Sequence, residues 1–331
     1  MKTRWILQAV VWMATSTAVL GVSSSQVFAD YPERPITVLV GYAAGGSLDL
    51  SARALAKSAE KILGKPVIVE NKPGGTGIVS LAALLSQKPD GYTLCAVSSS
   101  TLLRASQLHQ VPFKAFTSFK PIIGYSEPLL AVVVKSDAPW KTLADLVKDA
   151  RQNPNKIRYA SPGTGSTQHT TVMEIILRND LKVIHVPYKG SIEASTAILG
   201  GHVDFAALTS EFVPQVRSGQ ARLLAAAHEE RLPMFPGVPT LLELGYDYSN
   251  DAVFGIVGSA NLDPAVAGKL EEAFATAAKE KDYLEALNRI SMRPVYYDSK
   301  AFDLFLRKHW KKINRQLKAV NLISEAATLP E

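Results

Sequence analysis

Two glycine-rich turns carry the residue types in this sequence that are best suited to binding chemistry. The first covers residues 41–47 (GYAAGGS) and the second residues 160–167 (ASPGTGST). Each follows a predicted strand and opens a predicted helix, whose first N–H groups lack partners within the helix and lie at the positive end of its dipole. Glycine lets the backbone turn sharply and lets a ligand approach the amides. Both turns therefore predict an anion site of the kind that binds a carboxylate.

The two turns also have a simpler interpretation, as tight connections with ordinary helix caps. Ser47 is a favourable N-cap, and Asp49 suits the helix dipole and can pair with Arg53 four residues later. For one turn alone the pattern leaves both interpretations open. The pair favours binding, because two anion sites in separate domains can face each other across a cleft and grip one carboxylate ligand.

Nucleotide-binding and catalytic motifs fail on spacing. Neither turn has the lysine of a P-loop, and Gln168 stands where a dinucleotide fingerprint beginning at Gly163 needs its third glycine. No G-x-S-x-G motif occurs, residues 228–230 (HEE) lack the second histidine of H-E-x-x-H, and the six histidines show no metal-ligand spacing. The sequence predicts no catalytic residue, no metal site and no cofactor, and hence no enzyme.

The composition is that of a globular protein with about two domains: 331 residues, 47% hydrophobic and 20% charged. The single cysteine, Cys95, excludes an intramolecular disulfide and a cysteine zinc cluster. A net charge of +6 without a recognition motif predicts no nucleic-acid partner. The last predicted helix, residues 298–320, carries six basic residues between positions 307 and 318, which favour a solvated face over a nucleic-acid or membrane surface.

The first 29 residues have the layout of a secretory signal peptide. Lys2 and Arg4 precede an apolar stretch at residues 6–22, and small or short side chains, Val27 and Ala29, stand at positions −3 and −1 of a cut before Asp30. A retained membrane anchor is the weaker alternative, because the apolar run is short, is diluted by hydroxyl groups and has no basic stop after it. We therefore expect cleavage between Ala29 and Asp30 and a periplasmic location.

Predicted strands and helices alternate along the rest of the chain, which indicates an α/β protein with largely parallel sheets. Strands are predicted at residues 36–40, 67–69, 92–97, 129–134, 157–160, 183–186 and 203–208. Helices are predicted at residues 48–62, 76–87, 143–150, 192–199, 264–277 and 298–320, and around residues 172–176.

A series of short motifs in order along the chain resembles the Bug/TctC solute receptors of tripartite tricarboxylate transporters. The matching motifs are YPxRPI at residues 31–36, GGxxD at 45–49, PVxVENKPG at 66–74, PDGYTL at 89–94, YAS at 159–161, GxGSxxH at 163–169, VPYKG at 186–190, GGxVD at 200–204, GVPT at 237–240 and FG at 254–255. The resemblance covers nearly the whole chain after residue 29.

The resemblance implies a two-domain periplasmic binding protein fold, type II-like, with a mostly parallel sheet in each domain and the ligand in the cleft between them. Domain 1 would comprise residues 30–129 plus 252–331, and domain 2 residues 130–251. It further implies a monomeric receptor that captures a small carboxylate, an organic acid or amino acid, and delivers it to the membrane permease subunits of a tripartite transporter. The sequence leaves open a ligand-sensing receptor for a membrane kinase, a secreted hydrolase and an exported structural protein.

Onto this chain the resemblance carries a set of ligand-binding residues from both domains. Two departures concern ligand choice: Gly41-Tyr42 replaces the family's usual Pro-Phe, and residues 205–211 are one residue short of its pattern. The identity of the acid is therefore not carried over. The expected ligand-binding residues are Tyr42, Gly45, Gly46, Ser47, Asp49, Ser98, Ser99, Thr101, Gly165, Ser166, Thr167, His169, Tyr188 and Thr209.

Overall fold

A computed structural model describes residues 31–250 and 252–323 of the chain. The expected signal peptide and the cut between Ala29 and Asp30 lie outside the described residues. No helix in the described part is long and apolar enough to cross a membrane.

The described residues form eleven strands and ten helices, which alternate for most of the chain. The strands are β1 (Ile36–Val40), β2 (Val67–Asn71), β3 (Thr93–Ser98), β4 (Phe119–Glu127), β5 (Ala131–Lys135), β6 (Arg158–Ser161), β7 (Ile184–Pro187), β8 (Phe205–Leu208), β9 (Ala221–Ala226), β10 (Phe254–Ser259) and β11 (Arg293–Tyr297). The helices are α1 (Ser47–Leu63), α2 (Ile78–Leu85), α3 (Ser99–Leu108), α4 (Leu143–Gln152), α5 (Thr167–Arg178), α6 (Ser191–Leu199), α7 (Phe212–Arg217), α8 (Pro264–Ala277), α9 (Lys281–Arg289) and α10 (Ser299–Ala319).

The strands form two sheets, each flanked by helices, and each sheet is the centre of one lobe. The first lobe has a six-stranded sheet in the order β11-β4-β10-β3-β1-β2, and the second lobe has a five-stranded sheet in the order β7-β6-β8-β5-β9. The chain passes between the sheets twice, between β4 and β5 and between β9 and β10. The two-lobed α/β architecture expected from the sequence is confirmed.

The expectation of largely parallel sheets needs a correction, because both sheets are mixed. Strand β10 runs antiparallel to β3 and β4, and β5 runs antiparallel to β8 and β9. Both β5 and β10 are the first strands entered after a crossing. The preceding strand ends at the edge of its sheet that faces the cleft, so the next strand starts at the facing edge and runs away from the cleft. Its neighbours in the sheet run towards the cleft; they are β8 and β9 for β5, and β3 and β4 for β10.

Local capping signals place several helix ends where the sequence predicted them. Ser47, however, is not the N-cap of α1: Gly46 takes that position without a side-chain cap, and the Ser47 hydroxyl donates to Glu211 instead. Thr142 and Asp145 form a capping box at the start of α4, and the Asp298 carboxylate accepts the Ala301 N–H at the start of α10. Gly64 ends α1 in the left-handed conformation, with φ 66°. These short-range interactions are why the bounds of α1, α4 and α10 follow from the sequence alone.

Elements with weak local signals were not predicted. Strand β4 contains Pro121 and Gly124, both of which disfavour a strand in isolation.

The predicted helix at residues 76–87 is divided: a 3₁₀ turn covers Gly75–Gly77, and α2 begins only at Ile78. The left-handed φ values of Thr76 (53°) and Gly77 (92°) interrupt the helix. Packing against the rest of the first lobe decides the conformation of these segments.

The last helix, α10, packs its apolar stripe against the first sheet. Phe302, Leu306, Trp310, Ile313 and Leu317 are buried in a core cluster shared with strands of that sheet. The basic residues that alternate with this stripe are exposed or partly exposed. The arrangement is that of an amphipathic helix with a solvated face.

Gly255, in β10, shows how closely α10 packs on this sheet. A Cβ atom added there would lie against the buried Phe302 ring and 2.7 Å from the Ile123 carbonyl oxygen. Overpacking of this kind costs about 1–3 kcal/mol. We expect Gly255→Ala to lower the free energy of unfolding in urea by that amount.

Gly268 provides the matched control for this substitution. It lies inside α8, is exposed, and a Cβ atom added there meets nothing within 4 Å. Gly268→Ala should raise the free energy of unfolding by about 0.5–1 kcal/mol, because alanine favours the helix. Equal effects of the two substitutions would contradict the packing described for Gly255.

Candidate ligand-binding cleft

The two glycine-rich turns face each other across a cleft between the lobes. The first connects β1 to α1 and the second connects β6 to α5. The Thr76 hydroxyl, beside the first turn, donates a hydrogen bond to the Thr164 carbonyl oxygen in the second, at 3.1 Å. The Arg104 guanidinium of the first lobe donates to the Thr167 hydroxyl of the second, at 2.8 Å. The N-termini of α1 and α5 therefore contribute to the same cleft.

A small cavity of about 40 Å³ lies at the centre of this cleft. Eight of the fourteen residues expected to bind ligand line this central cavity, and they come from both lobes. These eight are Tyr42, Gly46, Ser47, Asp49, Ser98, Thr101, Thr167 and Thr209.

The other six expected residues lie outside its lining. Gly45, Gly165, Ser166 and His169 belong to the turns or the helix starts that shape it. Ser99 exchanges hydrogen bonds with Val253 in one of the crossings between the lobes, where its hydroxyl accepts the Val253 N–H. Tyr188 lines a separate groove, shared with Tyr42 and the second turn.

Asp49 holds the first turn in shape. Its carboxylate accepts hydrogen bonds from the Gly45 N–H at 2.9 Å, the Asn71 side-chain amide at 2.8 Å and the Arg53 Nε at 3.0 Å. Burial opposes ionisation of this group, but the hydrogen bonds from Arg53, Gly45 and Asn71 hold the pKa of Asp49 below its ordinary value. The sequence-predicted Asp49–Arg53 pair is present. The Asp49 carboxylate is therefore ionised, and its charge is compensated by Arg53 within the first lobe.

The second turn is held by its own cap. The Ser166 hydroxyl accepts the His169 N–H at 3.1 Å, and His169 Nδ1 accepts the Gly165 N–H at 3.3 Å. Burial, together with the nearby His185 and Arg104, lowers the pKa of His169 to about 4. An imidazole that accepts an N–H at Nδ1 must be uncharged there. His169 is therefore a neutral support of the turn and does not supply a positive charge to the cleft.

Hydroxyl groups line the first-lobe side of the central cavity. The Tyr42 and Thr101 hydroxyls lie 2.9 Å apart, and burial raises the pKa of Tyr42 to about 12, so its phenol stays protonated. Ser98 and Thr101 stand at the start of α3, which makes a third helix N-terminus at this wall. These groups can donate hydrogen bonds to the oxygens of a bound acid.

Arg104 is a buried residue at the contact between the lobes that sequence reasoning missed, and it lies beside the second turn, outside the lining of the central cavity. It is only 3% exposed, its Nη1 donates to Thr167 at the start of α5, and its Nε has no hydrogen-bond partner in the part of the chain described. None of the ion pairs among the described residues involves it. Its one sequence signal is that it is the single charged residue in α3.

Glu211 is a second cleft residue that the sequence did not single out, although it ends the segment at 205–211 that departs from the family pattern. Its Oε1 accepts the Ser47 N–H at 2.6 Å and the Ser47 hydroxyl at 2.8 Å. Its Oε2 accepts the Thr209 hydroxyl at 2.6 Å. A carboxylate from the second lobe thus binds the N-terminus of α1 in the first.

Gln168, Ser191 and Asn250 were also missed and line the central cavity.

Two lobes of mixed sheet and helix, joined by two crossings and closed on a polar cleft, define a solute-binding receptor of the periplasmic binding protein class. Residues 51–322 match the family model described as tripartite tricarboxylate transporter family receptor. The chain belongs to this family, which confirms the resemblance found in the sequence.

Individual relatives agree with this assignment. The chain is 39% identical over 305 residues to a UPF0065 protein in the gbd 5′ region of Cupriavidus necator, covering 91% of this chain and 92% of that protein. The structure of the periplasmic binding protein BugD superposes with a TM-score of 0.84 at 25% identity, covering 88% of this chain and 99% of BugD. MatC from Rhodopseudomonas palustris with bound malate has the same fold, with a TM-score of 0.80 at 23% identity over 88% of this chain and 100% of MatC.

The buried histidines predict a loss of stability at acidic pH. Burial lowers the pKa of His169, and burial with the nearby Arg293 lowers that of His228, each from 6.5 to about 4. The unfolded chain takes up these protons below pH 6.5, whereas the folded chain resists them until about pH 4, so stability falls as pH falls through this window. Each histidine contributes roughly 3 kcal/mol to that fall.

Urea unfolding at pH 6.5 and pH 4 measures this effect. His169→Gln should remove about half of the pH dependence contributed by the pair, since glutamine does not titrate. His202→Gln, at an exposed position, is the control and should leave the dependence unchanged. An unchanged dependence in His169→Gln would contradict the buried, neutral state of His169.

Proposed function

We propose that this protein is an extracytoplasmic receptor that captures a small carboxylate, an organic acid or amino acid, in the cleft between its lobes. The observation that carries the proposal is the buried Arg104 at the N-terminus of α5. A cation is disfavoured at the positive end of a helix dipole, and a buried charge without a counter-ion is costly. A carboxylate bound beside Arg104 would offset both the unfavourable dipole interaction and the cost of the unpaired charge.

The energy of binding must come mainly from charge-assisted hydrogen bonds. Helix dipoles contribute about 0.3–1 kcal/mol each when exposed and up to ~2 kcal/mol when partly buried. Micromolar affinity requires roughly 8 kcal/mol. Several hydrogen bonds to a charged group, at about 1.5–3 kcal/mol each, supply the difference. They strengthen as the lobes close and exclude water, which also makes the ligand stabilise the closed arrangement.

The remaining parts of the proposal concern location and partners. We propose that residues 1–29 direct export and are removed before Asp30. We further propose that the receptor is a monomer that binds its acid in the periplasm. It would deliver the acid, chemically unchanged, to the permease subunits of a tripartite transporter. We also propose the domain limits at 129/130 and 251/252, supported by the two crossings of the chain between β4 and β5 and between β9 and β10. We propose that these crossings are the hinge.

Isothermal titration calorimetry with acids and their neutral analogues tests the proposal. Malate, succinate and adipate should bind with micromolar dissociation constants if several charge-assisted hydrogen bonds form. The corresponding diamides should bind at least about a hundredfold more weakly, since they lose the charge. Diamides that bind as well as the acids would contradict a carboxylate receptor, and turnover of the acid on prolonged incubation would indicate an enzyme instead.

Substitution of Arg104 tests the residue on which the proposal depends. Arg104→Gln should weaken binding of the preferred acid by about 10- to 100-fold, corresponding to one charge-assisted hydrogen bond. Arg104→Lys keeps the charge and should lose less. Circular dichroism and thermal unfolding establish that both variants fold. Equal affinity of the wild type and a folded Arg104→Gln variant would place the carboxylate elsewhere in the cleft.

A further inference from the structure

The carboxylate of Glu211 occupies the N-terminus of α1 in the way a ligand carboxylate would. One oxygen accepts both the backbone N–H and the hydroxyl of Ser47, at 2.6 Å and 2.8 Å. A Cβ atom added at Gly46 would lie 3.6 Å from the same oxygen, so the turn passes close to the carboxylate. Glu211 comes from the second lobe and Ser47 from the first, and these hydrogen bonds therefore join the two lobes across the cleft.

The second lobe holds Glu211 in this position. Its other oxygen accepts the Thr209 hydroxyl at 2.6 Å, and the Thr209 and Ser191 hydroxyls lie 3.3 Å apart. The Gln168 side-chain amide in turn donates to the Ser191 hydroxyl at 2.9 Å. Three side chains that line the central cavity thus support the carboxylate from its own lobe.

A ligand carboxylate and the Glu211 carboxylate cannot share this site. Two negative groups in contact with the same N–H would repel each other strongly in a cleft that excludes water. With Glu211 in this position the central cavity measures only about 40 Å³. Sites for small molecules are typically about 300–1,000 Å³. A dicarboxylate therefore needs the residues around the cavity to move apart, and Glu211 holds two of them, Ser47 and Thr209, together across the cleft.

We propose that Glu211 is a built-in competitor of the ligand at the N-terminus of α1 and sets the affinity and charge preference of the receptor. The inference rests on the proposed function, because it concerns the same cleft. A ligand carboxylate that enters the first turn displaces the Glu211 carboxylate from Ser47 and takes over its two hydrogen bonds. The energy needed to break the Glu211 contacts is subtracted from the affinity for every acid.

The opposite role for Glu211 makes an opposite prediction. If Glu211 stayed in place and paired with an ammonium group of the ligand, its charge would favour amino acids over other acids. The surroundings favour competition. Glu211 accepts three hydrogen bonds from Ser47 and Thr209 where it stands. The positive end of the α1 dipole favours a negative group and disfavours the ammonium group that an amino acid would bring to Glu211.

Glu211→Gln tests the inference, because glutamine keeps the size of the side chain and removes its charge. Hydrogen bonds to charged acceptors are about twice as strong as neutral ones, so we expect Glu211→Gln to bind malate about tenfold more tightly than the wild type in calorimetry. Glu211→Ala, which removes the competing group entirely, should shift affinity in the same direction. Glu229→Gln removes the same charge from an exposed position on the second lobe and should leave affinity unchanged.

The same titrations with the amino counterpart of malate, in which an ammonium replaces the hydroxyl group, distinguish the two roles. Competition predicts tighter binding of both ligands by Glu211→Gln. Weaker binding of the amino ligand alone would overturn competition and assign Glu211 to the ammonium.

The result for the wild type separates the inference from the proposed function. If the wild type binds malate and folded Glu211→Gln and Glu211→Ala bind it no more tightly, the competitor role is wrong and the carboxylate receptor stands. If none of the folded proteins binds any acid of the series, the proposed function fails and the competitor role fails with it.

Discussion

The electrostatic state of the cleft is the constraint on which the rest of the structure depends. The N-termini of α1 and α5 border one small cavity, and a buried arginine, Arg104, adds a full positive charge beside the second of them. Unpaired helix N–H groups and unpaired buried charges both cost free energy. A negative group in the cleft relieves both costs. In this structure Glu211 is the negative group at the N-terminus of α1. At the N-terminus of α5, a captured acid is proposed to take this role beside Arg104.

The two turns are preorganised by interactions that do not involve a ligand. Asp49 binds Arg53, Asn71 and the backbone of the first turn, and His169 accepts a backbone N–H of the second. Both groups are satisfied inside their own lobe, one as an ion pair and one as a neutral ring. The N–H groups left over are therefore held in position before binding, which reduces the entropy that binding must otherwise cost.

The crossings between the lobes are tied together by hydrogen bonds. The Asn250 N–H donates to the Ala227 carbonyl oxygen and its side-chain amide donates to that of Pro128, so one residue links both crossings. Ser99, at the start of α3, is bonded to Val253 in the return crossing. Since α3 also carries Arg104, this one helix contacts both a crossing and the second turn.

The sequence by itself determined the features that depend on near neighbours in the chain. Helix ends followed from caps such as Thr142 and Asp298, because a cap acts within one helical turn. The two turns that border the cleft followed from glycine placed between a strand and a helix, and the order of motifs identified the family. Eight of the fourteen expected ligand-binding residues line the central cavity.

The tertiary structure alone decided what depends on residues far apart in the chain. It reversed β5 and β10 against the neighbouring strands of their sheets, because each enters its sheet from the cleft edge. It placed Arg104 beside Thr167, 63 positions away, and Glu211 on Ser47, 164 positions away. An isolated arginine or glutamate in a sequence is most often a solvated surface residue, and only the packing of two lobes against each other gives each of these charges a partner from the opposite lobe.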